Sequence, residues 1–282
     1  MHRCLFFNDQ MMSAPKVSGI DAVSLYGRGV FTTLGVHNHR PFLWIEHWVR
    51  LIEHAARVRL DTSMLAEESV RSSLAELIEA NKVKDGRARL TLRAATEQGI
   101  WQVTGQGARP TDLIIITGDL RPVSEDGLAL TLSPYRVNTL SPLAGIKSLN
   151  YLDHILPFEE ARSRDFDEAV MLNERGEVVS ATVANIFWVT GGAVHTPALP
   201  TGALPGTTRA RVIELAGELS IPLVEGVYDL AALGDADEIF LTSSGHGVQI
   251  VTTFDFHRYT VAVGSVALRL REALRQLTLK TE

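Results

Sequence analysis

One decapeptide, Gly118 to Gly127 (GDLRPVSEDG), constrains the fold of this chain more than any other feature. It is polar, carries Pro and Gly and has no hydrophobic periodicity, so it reads as a linker between two separately packed blocks. Ahead of it, Glu46 to Leu60 (EHWVRLIEHAARVRL) places its apolar residues at mostly helical spacing with charges on the other face. Met64 to Asn81 repeats that pattern, and Glu67, Glu68 and Ser69 suit a helix start. Ala88 to Ala95 and Asp112 to Thr117 are short, apolar or alternating, and read as strands. Beyond the linker, Leu128 to Leu132 and Glu168 to Leu172 read as strands, and Asn150 to Arg164 and Thr207 to Leu219 as helices. Val178 to Val189 and Ala193 to Thr196 form a hairpin pattern around Thr190-Gly191-Gly192, where two glycines permit positive φ. Strands alternate with helices in both halves, so the expected class is α/β (α+β) with two domains. The expected boundaries are a smaller N-terminal domain over 1–119, a linker over 120–127 and a larger C-terminal domain over 128–282.

With 282 residues, 45% of them hydrophobic, each block is large enough to bury a core. A net charge of −6 and nine scattered His offer no dense basic face, which argues against nucleic acid as a partner. The single cysteine, Cys4, excludes an intramolecular disulfide and a Cys-based zinc cluster. The apolar N-terminal patch is interrupted by Asn8, Asp9 and Gln10, and no run approaches the roughly 18 apolar residues of a membrane span. A cytoplasmic protein without a membrane partner is expected. His37, His39, His47 and His54 lack carboxylates or cysteines at ligand spacing, so no metal is expected.

Chemistry concentrates in a few segments. Gly145-Ile146-Lys147-Ser148-Leu149-Asn150-Tyr151 holds a lysine in a stretch otherwise without one. Arg50 lies on the first amphipathic helix and offers a planar fork for an anion. Leu204-Pro205-Gly206-Thr207-Thr208-Arg209 is a turn opening a helix, where free N–H groups favour an anion. Thr242-Ser243-Ser244-Gly245-His246-Gly247 adds further hydroxyls. Taken together, the order and spacing of these parts resemble the class IV aminotransferases, the group of branched-chain and D-amino-acid aminotransferases and aminodeoxychorismate lyase, over about Tyr26 to Val251. The resemblance implies the two-domain D-amino-acid aminotransferase-like fold and pyridoxal 5'-phosphate (PLP) as cofactor. It implies that Lys147 is the catalytic residue and forms the Schiff base, and that Tyr151 bonds the phenolic oxygen. It further implies that Arg50, Thr207, Thr208 and Ser244 hold the phosphate and that amides at Gly245 and His246 meet the substrate carboxylate. A homodimer and a small amino-acid-like amine substrate are also implied.

The sequence departs from the family at the pyridine partner. The family frame is Gly, three residues, Glu, four residues, Asn; Gly176 and Asn185 keep it and Ser180 takes the Glu place. On a period-2 strand Glu177 points opposite to Ser180 unless a bulge reverses the register. A carboxylate keeps the ring nitrogen protonated, whereas a hydroxyl only hydrogen-bonds it, which hints at elimination rather than transamination. Substitution in a divergent transaminase is the alternative. Tyr26-Gly27-Arg28-Gly29-Val30-Phe31-Thr32-Thr33 resembles a family run with Arg28 in place of Asp, and its Phe-Thr-Thr ending is similar to that of the lyases. Thr33 and Arg93 match substrate-contacting positions. Three readings follow: an aminodeoxychorismate lyase giving 4-aminobenzoate and pyruvate, which Ser180 and the Phe-Thr-Thr run favour; a branched-chain or D-amino-acid transaminase; and a PLP-binding homologue with little or no turnover.

Overall fold

The computed structural model of the protein describes residues 1–13, 22–95, 111–120 and 126–280. They form two compact units, one of residues 1–120 with 146–151 and one of 121–145 with 152–280. Most of the expected linker, residues 121–125, lies outside the described residues. No helix among the described residues is long and apolar enough to cross a membrane.

In the first unit, β1 (Leu5–Phe7), β2 (Gln10–Met12), β3 (Gly29–His37), β4 (Arg40–Pro41), β5 (Gly86–Ala94) and β6 (Thr111–Gly118) make one sheet in the order β2-β1-β6-β5-β3-β4. Every pairing in it is antiparallel. The helices are α1 (Ala22–Tyr26), α2 (Trp44–Arg57) and α3 (Glu67–Ala80). Helix α3 packs on β1 and β6 and buries Val70, Leu74, Leu77 and Ile78, whose 3–4 spacing forms one stripe. Each such side chain contributes about 1.5–3 kcal/mol by leaving water.

Helix α2 packs on β3 with a face that the sequence pattern does not anticipate. Its buried positions are Trp44, His47, Arg50, Leu51, His54 and Ala55, whereas Ile45 and Val49 are exposed. The amphipathic helix forms as expected, with Leu51 and Ala55 inward, and polar residues at positions 47, 50 and 54 share its inward stripe. A buried arginine and two buried histidines are retained only where they find partners.

The lysine segment, expected within residues 128–282, has its contacts elsewhere: residues 146–151 group with the first unit. Phe31 N–H donates to Lys147 O at 2.9 Å and Leu149 N–H to Gly29 O at 2.9 Å, with Val30 opposite Ser148. The segment pairs as a short strand with the start of β3, and backbone pairing of this kind leaves no periodicity in a seven-residue stretch.

The second unit carries β7 (Leu128–Val137), β8 (Glu168–Asn173), β9 (Val178–Ala181), β10 (Asn185–Thr190), β11 (Ala193–Pro197), β12 (Leu223–Gly226), β13 (Glu238–Ser243), β14 (Gly247–Phe254) and β15 (His257–Arg258). Its sheet order is β12-β11-β10-β13-β14-β7-β8-β9, with β15 paired to β14. Strand β7 runs parallel to both β8 and β14. The helices are α4 (Leu152–Ser163), α5 (Thr207–Glu218), α6 (Ala231–Gly234) and α7 (Val266–Lys280). Leu130, Val170, Ile186, Trp188, Ile239 and Leu241 belong to one buried cluster. The β10–β11 hairpin forms as expected, with Gly191 and Gly192 at φ 57° and 80°. The expected strand from Val178 to Val189 is two strands, because residues 182–184 turn the chain from β8's neighbour, β9, to β13's neighbour, β10.

Candidate active site

The first unit assembles a cationic cluster around Lys147. The Lys147 Nζ donates to Tyr151 Oη at 3.2 Å and lies 4.7 Å from the Phe31 ring centre. Phe31 in turn meets Tyr151 edge-on, with ring centres 5.1 Å apart. Burial of the Lys147 amine, reinforced by the Arg50 and Arg89 guanidiniums, pulls its pKa from 10.5 down to about 7. Both causes disfavour the ammonium form, so a free amine is accessible near neutral pH.

Arg50 is held in place by β3 and its own helix. Its NH2 donates to Thr32 Oγ1 at 2.9 Å, and Thr32 Oγ1 lies 2.6 Å from His47 Nδ1. The Thr32 hydroxyl thereby links Arg50 to His47. Burial, followed by the charges of Arg50 and Lys147, holds the His47 pKa well below its usual value, which favours the neutral ring. His54 Nδ1 accepts the main-chain N–H of Lys147 at 3.1 Å. Its pKa is pushed down to about 4 by burial first and then by Arg50, Arg57 and Lys147. Burial also lowers Arg50 to about 10, against the opposing pull of Tyr151.

Of the two expected substrate contacts on this sheet, Thr33 shares the face of Phe31 by strand alternation and pairs across with Arg89. Arg93 is engaged by Asp112 through Nε and NH2, both at 3.3 Å. The strand arginine whose charge reaches Lys147 is Arg89, which stacks its guanidinium 3.6 Å over the Phe31 ring. Sequence reasoning missed Arg89, Thr32, His47 and His54. The i, i+3, i+7 spacing of His47, Arg50 and His54 on one helix was the available signal.

The second unit gathers hydroxyls at the start of α5. Ser244 Oγ lies 3.2 Å from Thr207 Oγ1 and 3.3 Å from Thr208 Oγ1, and both threonines are buried. Gly206 is the N-cap residue of this 12-residue helix, whose first N–H groups have no intrahelical acceptor. Asn185 Nδ2 donates to Leu204 O at 2.9 Å, and a Cβ on Gly206 would fall 2.1 Å from Asn185 Oδ1. Only glycine allows that approach, and the two contacts fix the turn that presents Thr207 and Thr208. Convergent hydroxyls on a helix N-terminus suit a phosphate in the second unit, and a buried lysine amine suits an aldehyde in the first; each unit by itself carries residues that fit a part of PLP.

At the β13–β14 connection, His246 N–H donates to Ser243 O at 3.3 Å and His246 Nδ1 lies 3.4 Å from Ser243 Oγ, which forms a tight turn through Gly245. Ser180 is buried on β9 opposite Met171. The β8–β9 register does shift between Val178 and Ser180, so a bulge of the kind that would redirect Glu177 exists. Glu177 nevertheless binds elsewhere, accepting from Asn173 Nδ2 and Arg175 NH2, each at 2.7 Å.

Comparison with known proteins adds an independent line. Residues 29–254 match the family model described as Amino-transferase class IV. A Methanocaldococcus jannaschii protein assigned as a branched-chain-amino-acid aminotransferase is 34% identical over 94% of this chain and 92% of its own length. The aminodeoxychorismate lyase of Bacillus subtilis is 31% identical over 81% of this chain and 78% of its own. The branched-chain aminotransferase of Thermoproteus uzoniensis, solved with norvaline, superposes with a TM-score of 0.92 at 27% identity, covering 100% of this chain and 96% of that one.

Proposed function

Because this chain belongs to the class IV aminotransferases and is therefore a PLP-dependent enzyme, we propose that it acts on an amino-acid-like amine through Lys147 and that its reaction is an elimination. When bound, PLP supplies an aldehyde that condenses with amines and a ring that withdraws electrons from the adjoining carbon. Lys147 provides the amine that holds the cofactor, gives it up to the substrate, and then takes the proton from the carbon bearing the substrate's amino group. Arg50 and the hydroxyls of Thr207, Thr208 and Ser244 bind the phosphate, with Thr32 orienting Arg50. Tyr151 donates to the phenolic oxygen. Thr33, Arg93 and the amides of Gly245 and His246 serve the substrate, Arg93 after release from Asp112.

The observation that carries the elimination reading is Ser180, a buried hydroxyl in the place where the family has a carboxylate, with Glu177 occupied by Arg175 and Asn173. A hydroxyl leaves the ring nitrogen weakly protonated, which serves a prompt loss of a leaving group better than a long-lived carbanion. The substrate proposed is aminodeoxychorismate: loss of a proton from the carbon bearing nitrogen and breakage of the ether C–O bond give 4-aminobenzoate. The departing enolate regains a proton as pyruvate. The test is pyruvate release from aminodeoxychorismate with no keto acid present. Amino transfer from branched-chain or D-amino acids to 2-oxoglutarate or pyruvate, without pyruvate release from aminodeoxychorismate, overturns elimination in favour of transamination. Leu152, Ile155 and Leu156 are exposed together at the start of α4, which supports a homodimer, and the lone cysteine supports a cytoplasmic setting.

A further inference from the structure

Glu168 is an ionisable side chain that the mechanism does not use, yet it sits at the first position of β8, a strand buried along its whole length. Burying a carboxylate is costly unless donors surround it. Here they do. Its Oε2 accepts from the amides of Thr182 at 2.9 Å and Ala169 at 3.3 Å and from the Thr182 hydroxyl, and its Oε1 accepts from the Val183 amide at 3.3 Å. The opposite side of the same turn is held by α4, where His154 Nδ1 donates to Thr182 O at 2.7 Å. Residues 182–184 are the connection between Ser180 on β9 and Asn185 at the head of β10, and Asn185 fixes the Leu204–Gly206 turn ahead of Thr207 and Thr208.

We propose that Glu168 is a positioning residue for the PLP half-site of the second unit: its ionised carboxylate pins the 182–184 turn, and through that turn sets Ser180 and the Asn185-held phosphate loop. The inference rests on the proposed function of those residues. Each of these partners of the carboxylate is a donor, so the ionised form matches the turn and a form carrying N–H or O–H meets donor against donor. Burial pushes the Glu168 pKa up to about 7 against the lowering pull of the Thr182, Val183 and Ala169 bonds. The turn is therefore gripped above neutrality and loosened below it. The same shift makes the fold's contribution from this group full below the unfolded value of 4.5 and lost as pH rises through 7, so affinity and stability respond to pH in opposite senses. Around it, His154 faces the turn, Asp167 is held by Arg162 and the Ala129 amide, and Glu160 by Arg164. Strand β9 and the stretch of β7 around Leu130 carry no ionisable residue.

The test uses pyridoxine 5'-phosphate, which lacks the aldehyde and so reports binding without Lys147 chemistry. Its dissociation constant is measured by fluorescence for the wild type, Glu168→Gln and Thr182→Val at pH 5.5 and 8.5, with thermal midpoints alongside. Expected is a Glu168→Gln to wild-type ratio of about ten at pH 8.5 that falls toward one at pH 5.5, where the wild-type carboxyl carries a proton and resembles the amide. Thr182→Val shows the same trend more weakly and decides the matter should Glu168→Gln not fold. A ratio of one at both pH values, or an equal ratio at both, overturns the proposal. Wild type that does not bind the probe overturns the cofactor assignment as well, so the two failures are distinct.

Discussion

The main-chain N–H of Lys147 is anchored on Nδ1 of His54, 3.1 Å away, although the two residues are 93 positions apart in sequence. That bond requires an unprotonated Nδ1, and the His54 pKa of about 4 supplies it across the physiological range. A helix side chain thereby fixes the backbone of Lys147 while Tyr151 and Phe31 hold its amine.

The first prediction concerns pH. With a pKa of about 7, Lys147 is protonated and unreactive in acid, so the rate of PLP uptake by the apoprotein rises through about pH 7 and levels above it. Arg89→Met removes a neighbouring positive charge, which raises the lysine pKa and moves that limb to the alkaline side. Stopped-flow absorbance across pH 5.5–9 measures both; an unmoved limb contradicts the role given to Arg89.

The same shift carries a stability consequence. A lysine whose folded pKa is depressed from 10.5 to about 7 destabilises the fold fully below pH 7, and the penalty vanishes as pH rises toward 10.5. Lys147→Met is expected to raise the apoprotein's thermal midpoint by about several degrees at pH 7 and less at pH 9.5. Calorimetry at the two pH values checks the sign.

Thr32 stands between Arg50 and His47, and it is 1% exposed. Thr32→Val removes the partner they share and is expected to cost about 1–3 kcal/mol of stability. Weaker cofactor binding should accompany that loss, and Thr32→Ser should restore both. Denaturant unfolding and cofactor titration of the two variants make the comparison.

Gly206→Ala drives a Cβ onto Asn185 Oδ1 and displaces the start of α5. Overpacking at such a site costs about 1–3 kcal/mol. The expected outcome is PLP affinity reduced about tenfold or more, read by equilibrium dialysis.

The sequence makes some of this plain and hides the rest for physical reasons. Helix α3, strands β5, β6 and β8 and the Gly191-Gly192 hairpin carry strong periodicity or turn chemistry, and their bounds fall within a few residues of expectation. Strand β3 is nearly all buried, and so lacks the alternation that marks a half-exposed strand. Lys147, Tyr151, Arg50 and the Thr207-Thr208 turn stand out by residue type. Arg89 does not, because an arginine on an alternating strand looks solvated until the ring of Phe31 is found beneath it. Glu168 looks like the polar edge of an apolar strand, and all its donors but the Ala169 amide come from a turn fourteen and fifteen residues later.

Borohydride reduction of the PLP-loaded protein followed by peptide mapping tests the central claim most directly. The account predicts loss of the visible absorption band and a phosphopyridoxyl label on Lys147. A label on Lys82, Lys84 or another lysine, or a reduced protein carrying no label, would contradict it.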